Sequence, residues 1–412
     1  MRLAVFTNQF PAKVSTFFAR DMRALIEVGN EIDVFPLYPE DPGLWQFVPE
    51  ILDESILPRE RTHHIDINRH LRIFKPGTLK DLNWPVREMI AICASAVRYG
   101  PGPLAKSLYV FPKAVEWAQE HTNDFDHILA YWGNYAATCA YLFHCLIGKR
   151  IPLSIFLHAG TDLYRTRIYM KQKLRSVQRI ITCLEFNRDF ILRHYSETIP
   201  SLEDKIHIYY HGLDFSEFLY TPNGRLPRRV LAVGRLSKRK GFEQLLYAVH
   251  GLKLRGIDIE CELIGDGDQA SYLKNLAVEL HIADSVIFRG WQKFEEVKTA
   301  MSKATILVHP STGLGDGLPN VIKEAMALGT PVIASDVAGI PEAIGGNCYG
   351  LLVPPKDLDA LADAIEKLLG DNALRGRLAL AARQQAENKF DLWRNGQALA
   401  NALVSKPKID RL

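Results

Sequence analysis

The stretch Gly315 to Asp336, GDGLPNVIKEAMALGTPVIASD, passes from a glycine-rich turn into a helical pattern and then through Pro331 into an apolar strand. Apolar residues recur at helical spacing in VIKEAMAL, and the glycines with Pro319 predict the turn before it. Of its acids, Asp316 precedes the predicted helix and Glu324 lies about one turn inside it. The two carboxylates could therefore hold different parts of one extended ligand. The alternative interpretation is an N-terminal cap plus a solvated helix acid.

Short apolar strands alternate with helical patterns along the chain, which predicts parallel βαβ units with helices on both faces of each sheet. A first series ends before a polar, turn-rich stretch at 213–229, and a second series begins there. Two Rossmann-like, doubly wound α/β domains are therefore predicted. The predicted strands cover residues 3–7, 31–38, 127–132, 153–158 and 179–184 in the first series, and 229–235, 259–265, 285–290, 305–310 and 330–336 in the second.

The domain boundaries follow from this division. We predict an N-terminal domain of residues 1–212 and a C-terminal domain of residues 213–393, with a last helix, about 394–412, that packs back on the first domain. A chain of 412 residues that is 47% hydrophobic and 24% charged is typical of a globular protein with two domains. Ligands of doubly wound sheets bind outside the carboxyl ends of the strands, so the loops there are expected to carry the chemistry.

The charge of the chain is nearly balanced but uneven. A net charge of +3 gives no reason to expect a nucleic acid partner. From Arg59 to Lys113, however, ten Lys and Arg residues stand against four acids, and from Lys149 to Arg193 ten stand against three. These stretches are either a solvated face or a surface for an anionic acceptor or membrane. Both interpretations remain open at this point.

Three features concern the cellular location. The six cysteines are scattered with no CxxC pair, which favours a reducing cytoplasm. The first apolar run is too short for a signal peptide and predicts a buried first strand. Ile128 to Gly148 carries no acid, Lys or Arg over 21 residues, yet Gly133 and Asn134 interrupt it. A buried strand followed by a helix is therefore predicted there, rather than a membrane span.

Several motifs are weak. GDGDQA at 265–270 matches a dinucleotide fingerprint, but it follows the second strand of its series rather than the first. Three DxD triplets, at 124–126, 266–268 and 357–359, precede a strand, form a turn and cap a helix, respectively. We therefore predict no metal site.

Two strand ends are better candidates. His158 ends a predicted strand and precedes a glycine-containing turn, where a side chain can reach a ligand. GRLSKRKG at 234–241 places Arg235 at a strand end and Lys238 to Lys240 near the next helix start, where amides and the helix dipole already favour an anion. A phosphate or diphosphate is the expected guest, and a solvated basic turn is the alternative.

Taken together, GRLSKRKG, HPS at 309–311, the acid pair, EAMALGTPVIASDVAGIPE and GLLVPP resemble the retaining glycosyltransferases of family 4, which have the GT-B fold. The resemblance covers about residues 205–375, with several motifs in the family's order. In the first half it is looser. His158 with Asp162 is similar to the family's His-Gly-x-Asp element with one residue more, and AYWGNY at 130–135 is similar to its His-Phe-Gly strand end.

The resemblance implies a role for each matching residue. Arg235 and Lys240 would bind the donor's diphosphate, Glu324 the ribose hydroxyls and Asp316 the transferred sugar, while His158 would lie near the face of that sugar. The turn at the start of the helix would help to hold the sugar, and one short strand end would hold the nucleobase. The turn consists of Gly317, Leu318, Pro319, Asn320 and Val321. The strand end consists of Arg289, Gly290 and Trp291.

Two departures from the family pattern affect specificity. The first acid of the pair is usually Glu, and here Asp316 is one methylene shorter. The common Ser-Glu-Thr-Phe near the N-terminus reads Val-Ser15-Thr16-Phe17 here. Ser15, Thr16 and Asp162 are expected to face the acceptor or the diphosphate, so the acceptor class is the part that the resemblance defines least.

The resemblance thus implies a GT-B protein of two domains facing a cleft. The expected activity is that of a metal-independent, retaining, hexosyltransferase-type enzyme that needs no cofactor. It would move a sugar from a UDP- or GDP-sugar to a sugar or polyprenyl-linked acceptor in surface-polysaccharide assembly. We expect it in the cytoplasm, peripherally at the inner face of the membrane. Two alternatives remain: an idle nucleotide-sugar-binding subunit, and a GT-B epimerase or hydrolase.

Overall fold

The computed structural model describes residues 1–12, 16–47, 57–65, 85–121 and 123–404, and for residues 46, 47, 161 and 162 it describes the backbone alone. Contacts divide the chain into two compact units, Met1–Gly212 with Leu392–Leu412, and Leu213–Asp391. The predicted fold class, two Rossmann-like doubly wound parallel sheets, is confirmed. Each unit is described separately below.

The first unit contains six parallel strands among its described residues, in the order β2-β1-β3-β4-β5-β6. The order reverses between β1 and β3, so this is the switch point where a doubly wound sheet opens a crevice for ligands. β6 is a short strand that the sequence patterns did not predict. The strands are β1 Arg2–Thr7, β2 Glu31–Pro36, β3 His127–Ala130, β4 Leu153–Leu157, β5 Arg179–Thr182 and β6 Ile206–Ile208.

The helices of the first unit cover a sheet whose central strands are buried on both faces. They are α1 Thr16–Glu27, α2 Val86–Val97, α3 Pro101–Glu120, α4 Tyr135–Leu146, α5 Met170–Ser176 and α6 Glu185–Tyr195. The uncharged segment 128–148 forms β3 and α4, both buried, as predicted. In the described part of the chain no helix has the length and apolar character to cross a membrane.

The second unit has the strand order β12-β11-β10-β7-β8-β9, again all parallel among the described residues. Its switch point lies between β7 and β10. The strands are β7 Arg229–Val233, β8 Glu260–Ile264, β9 Val286–Gly290, β10 Ile306–His309, β11 Val332–Ser335 and β12 Leu351–Val353. The helices are α7 Phe242–Leu254, α8 Ala270–Glu279, α9 Phe294–Lys303, α10 Asn320–Leu328, α11 Ile340–Ile344, α12 Leu358–Gly370 and α13 Asn372–Lys389.

The last helix, α14 Leu392–Val404, belongs to the first unit and packs on α1. Its Gly396 has no room for a side chain, because a Cβ there would lie 2.5 Å from the Cβ of Ala24. The Asn395 amide donates a hydrogen bond to the Tyr210 carbonyl at 2.9 Å, and the Arg23 guanidinium lies over the Trp393 ring. The C-terminal helix therefore completes the first unit and buries one face of α1.

Candidate active site

The switch point of the second unit brings together the loops that follow β7 and β10. Gly241 adopts a positive φ of 71°, and a Cβ on it would lie 1.8 Å from the Pro310 carbonyl oxygen. The Ser311 hydroxyl and the Thr312 amide both donate hydrogen bonds to the Arg239 carbonyl, at 3.1 and 2.8 Å. The basic motif and the glycine-rich motif are thus packed against each other through their backbones.

The three cations of the basic motif form a 3-10 turn, Lys238–Lys240, and α7 begins only at Phe242. They therefore precede the helix start in a turn of their own. Lys238 and Arg239 are exposed, and Arg235, two residues beyond the end of β7, is exposed as well. Only Lys240 turns toward the β10 loop, where its side chain is 19% exposed.

Asp316 contacts one side chain that follows β7 and one at the end of β10. One of its carboxylate oxygens lies 2.7 Å from Lys240 Nζ, and the other accepts a hydrogen bond from His309 Nε2 at 2.9 Å. The Asp316 side chain is 6% exposed. Burial alone would raise its pKa, but the hydrogen bond from His309 and the charge of Lys240 outweigh burial and lower it. Asp316 is therefore an anion that two partners hold in place.

His309 is a neutral imidazole that donates a hydrogen bond to Asp316. Burial lowers the pKa of His309, and the nearby Lys240 charge lowers it further against the opposing effect of Asp316. Because Nε2 donates to the carboxylate, the ring carries its proton on that nitrogen. The sequence patterns assigned His309 no role, although it ends β10 inside the quoted HPS motif.

The interpretation of the acid pair as a cap plus a solvated acid is wrong. The N-cap position of α10 is Pro319, which makes no side-chain hydrogen bond to the helix, while Asp316 lies in the preceding 3-10 turn, Leu314–Asp316. Glu324 is buried, with 6% of its surface exposed. Buried carboxylates persist where hydrogen bonds or charges compensate for lost solvation. The turn between them passes through Gly317, whose φ is 58°.

The GDGDQA motif has a packing explanation. A Cβ on Gly265 would lie 1.9 Å from the Gly234 carbonyl oxygen, and one on Gly267 would lie 2.4 Å from that of Leu236. The Leu236 amide donates to the Asp266 carbonyl at 2.9 Å. These glycines let the β8 loop pack against the β7 loop, so they support the basic motif.

The residues predicted to hold a nucleobase lie at the end of β9, which is separated from β7 by β8. Arg289 Nε donates to the buried carboxylate of Glu262 at 2.9 Å, and Arg229 donates to the other oxygen of that carboxylate, also at 2.9 Å. Gly290 has a positive φ of 69°, and Trp291 is 41% exposed. The role of this group in binding a base stays a prediction.

His158 follows β4 in the first unit and lies in an aromatic group. Its ring is 4.3 Å from that of Phe156, 4.4 Å from that of Trp132 and 5.1 Å from that of His211, with the two imidazoles parallel. Burial lowers the pKa of His158 well below its ordinary value, and the charge of His211 acts in the same direction. His158 is therefore a neutral imidazole.

The loop predicted to face the acceptor or the diphosphate is described in part. Thr16 is the first residue of α1, and the ring of Phe17 contacts those of His158 and His211 at 5.7 and 4.9 Å. Ser15 and the side chain of Asp162 lie outside the described residues. The backbone of Asp162 belongs to a single wide turn, Thr161–Arg165, that follows Gly160.

Asp21 in the first unit is an acid that was not among the predicted site residues. Asp21 of α1 is fully buried and accepts hydrogen bonds from the Tyr131 hydroxyl, from the Tyr209 hydroxyl at 2.8 Å and from His211 Nδ1 at 2.8 Å. The signal for it was a carboxylate at a buried position of an amphipathic helix, between Phe18 and Leu25.

The DxD triplets have structural partners. Asp357 caps α12 by accepting a hydrogen bond from the Ala360 amide at 2.9 Å, as predicted, and Asp266 accepts one from the Gly267 amide. Asp124 contacts His121. Within the described ranges, no group of three or more His, Cys, Asp or Glu side chains is arranged to hold a metal ion.

Known proteins match this chain both in sequence and in fold. Residues 224–385 match the family model of the glycosyl transferases group 1. The amylovoran biosynthesis glycosyltransferase AmsK of Erwinia amylovora is 27% identical over 95% of this chain and 96% of its own length. The lipopolysaccharide core biosynthesis glycosyltransferase LpsE of Rhizobium meliloti is 33% identical over 43% of this chain and 50% of its own.

Among solved structures, the Anabaena protein HepE in complex with UDP-glucose aligns with a TM-score of 0.69. The alignment covers 98% of this chain and 99% of HepE at 17% identity. This likeness identifies the fold as GT-B, as predicted.

Proposed function

Residues 224–385 of this chain are a glycosyltransferase group 1 domain, and from this premise we propose that the protein is a retaining, metal-independent enzyme of the hexosyltransferase type. It moves a sugar from a UDP- or GDP-sugar to a sugar or polyprenyl-linked acceptor in surface-polysaccharide assembly. AmsK, similar over almost its whole length, is named for the biosynthesis of such a polymer. No cofactor is part of the proposal.

The observation that carries the proposal is the arrangement at the β7–β10 switch point. Lys240 is a cation paired with the ionised Asp316, the two turns that carry them pack backbone to backbone, and Glu324 is buried on the helix that follows. A nucleotide-sugar presents a diphosphate, a sugar and a ribose, which are one anion and two sets of hydroxyls. One cation and two carboxylates complement this set of groups.

The charged residues of this site suggest how the sugar is transferred. When the bond between sugar and diphosphate breaks, negative charge builds up on the leaving diphosphate, and Arg235 with Lys240 stabilises it. Asp316 accepts hydrogen bonds from the sugar, and the turn Gly317–Val321 helps to hold it. The family resemblance assigns His158 to the face of the sugar, and as a neutral imidazole it would bring no positive charge to that position. Retention proceeds by attack of the acceptor on the same face that the diphosphate leaves.

The acceptor side of the proposal rests on α2 and α3 of the first unit. Val86, Ile90 and Val97 of α2 and Leu108 of α3 are 56, 66, 58 and 49% exposed. Residues 86–108 contain three basic residues and one acid. Such a surface, apolar and weakly basic, suits contact with an anionic bilayer that carries a lipid-linked acceptor.

A cavity of about 500 Å³ lies beside this surface, with Arg98, Arg167 and Lys171 in its wall. None of the residues that line it is acidic. It is suited to the phosphate of a lipid. Three members of the basic stretches do not contribute to the surface, because Lys113, Lys173 and Arg179 are buried. Lys173, for example, donates hydrogen bonds to the carbonyls of the loop before α4.

The experiment uses the purified chain with a panel of UDP-, GDP- and ADP-sugars. Thermal shift identifies the donor that binds, and release of the free nucleotide then measures slow hydrolysis or transfer. We expect one donor class to bind and turn over. Binding without any turnover, with lipid-linked and free sugar acceptors present, would instead identify an idle binding subunit.

Glu324 provides a test of the donor orientation. Glu324→Ala should weaken binding of the nucleotide by about 1–3 kcal/mol, because a carboxylate that accepts from two ribose hydroxyls makes charge-assisted bonds. Glu324→Gln keeps the shape and one acceptor and should lose less. Calorimetry that finds the Ala variant unchanged would remove the ribose assignment.

A further inference from the structure

Asp21, Tyr131, Tyr209 and His211 form a hydrogen-bonded group, here called the Asp21 group, directly beside His158. The carboxylate comes from α1, Tyr131 follows β3, and Tyr209 and His211 follow β6. Two segments that are distant in sequence from α1 thus supply three donors to one buried carboxylate. The proposed function leaves this group unused.

In the Asp21 group, the two tyrosine hydroxyls and His211 Nδ1 are the donors and the carboxylate is the acceptor. Burial raises the pKa of Tyr131 and of Tyr209 well above the ordinary value, and Asp21 adds to this, so both hydroxyls keep their protons. His211 Nδ1 lies 2.8 Å from Asp21 Oδ2 and must donate, since a carboxylate next to two hydroxyl donors is the acceptor. The proton on Nδ1 and the plane of the His211 ring are therefore held by Asp21.

The His211 ring stacks parallel to the His158 ring. The two imidazole rings are 5.1 Å apart with an interplanar angle of 1°, and the Phe156 ring lies within 20° of both. His158 is 6% exposed. The rings of Phe156 and His211 lie nearly parallel to that of His158, so rotation of His158 out of this plane would disturb both contacts.

We propose that His211, anchored by Asp21, is a positioning residue that fixes the plane of the His158 ring. The inference rests on the proposed function for the role of His158 and adds a second imidazole to that site. A group that served packing alone would not need a fully buried carboxylate, because burying that charge costs free energy that apolar side chains do not cost. The bond from His211 Nδ1 to this carboxylate gives instead a ring of defined orientation.

Variants separate the hydrogen bond from the ring. His211→Asn keeps a donor that can reach Asp21 and removes the ring, whereas His211→Phe keeps a ring and removes the donor. Tyr209→Phe is the matched control, because it removes one hydrogen bond from the same carboxylate and leaves both imidazoles in place. Circular dichroism and thermal unfolding establish that each variant is folded.

Two readouts test the proposal. In the first, His211→Asn lowers kcat for the donor identified above by at least about tenfold and changes the KM for the donor by less than about threefold. His211→Phe lowers kcat less than His211→Asn does. Tyr209→Phe stays within about threefold of the parent. Equal losses in His211→Asn and Tyr209→Phe, in proportion to lost stability, would overturn the positioning role.

The second readout does not depend on turnover. In protein labelled with ¹³C-histidine, the ring signals of His158, assigned with His158→Gln, should move in His211→Asn and stay in place in Tyr209→Phe. Unmoved His158 signals in a folded His211→Asn protein would refute the inference even if the enzyme is active. Moved signals in a chain without any glycosyltransferase activity would uphold the geometry and refute the proposed function instead.

Discussion

Lys240 Nζ lies 2.7 Å from Asp316 Oδ1, although one residue follows β7 and the other follows β10. The sheet order explains the approach, because β7 and β10 are neighbours at the reversal and their carboxyl-end loops open into the same crevice. A diphosphate that binds Lys240 must share this ammonium with Asp316. In the proposed function the carboxylate therefore weakens binding of the anion while it holds the sugar.

Asp316→Asn should separate these two effects. Without the carboxylate charge, affinity for UDP or GDP alone should stay the same or rise, by roughly 1 kcal/mol at most, because a like charge near the diphosphate is gone. Turnover of the intact donor should fall more than about tenfold, since the sugar loses an ionised acceptor. Calorimetry and nucleotide release measure the two quantities, and equal losses in both would assign Asp316 a structural role only.

Much of the fold followed from alternation in the sequence, because strands buried on both faces are short apolar runs between helical patterns. β6 and β12 escaped prediction, since each has only three residues and neither is fully buried. The proposed donor side of the site was predicted from local motifs in which glycines and charges lie close together in sequence, and its role stays a prediction. The Asp21 group could not be predicted, because its members are up to 190 residues apart and meet only through the sheet topology.

Stability should fall as the pH drops below about 6.5, the ordinary pKa of histidine. Burial lowers the pKa of His127 and of His144 to about 4, so the unfolded chain binds more protons than the folded one in this range. Each should cost about 2 kcal/mol at pH 5. Urea unfolding at pH 8 and pH 5 measures the loss, and His127→Gln should reduce the pH dependence. An unchanged dependence in that variant would contradict the assignment.

Chelation should leave turnover unchanged. The three DxD triplets serve caps, turns and ion pairs, so the proposed charge stabilisation depends on Arg235 and Lys240. Nucleotide release is measured after dialysis against EDTA, with and without added magnesium or manganese. Activity that disappears in EDTA and returns with either metal would show that a metal ion is required.

The α2–α3 surface should bind anionic vesicles. Phosphatidylglycerol vesicles should retain the chain at low salt and release it near about 0.5 M salt, where screening is short-ranged, and phosphatidylcholine vesicles should retain little. Ile90→Asp with Val97→Asp should abolish co-sedimentation. Leu254→Asp is the control, because Leu254 is 76% exposed on α7 of the second unit. Equal binding to both vesicle types, or to neither, would favour a soluble acceptor.

The central claim is that the β7–β10 switch point binds the diphosphate of a nucleotide-sugar and stabilises it as it leaves. The most direct measurement is kcat for nucleotide release from the donor, compared between the parent chain and the double variant Arg235→Ala, Lys240→Ala. The account predicts a loss of more than about tenfold in a protein whose fold is intact, because two cations that face the leaving group are gone. Full activity in the folded double variant would contradict it.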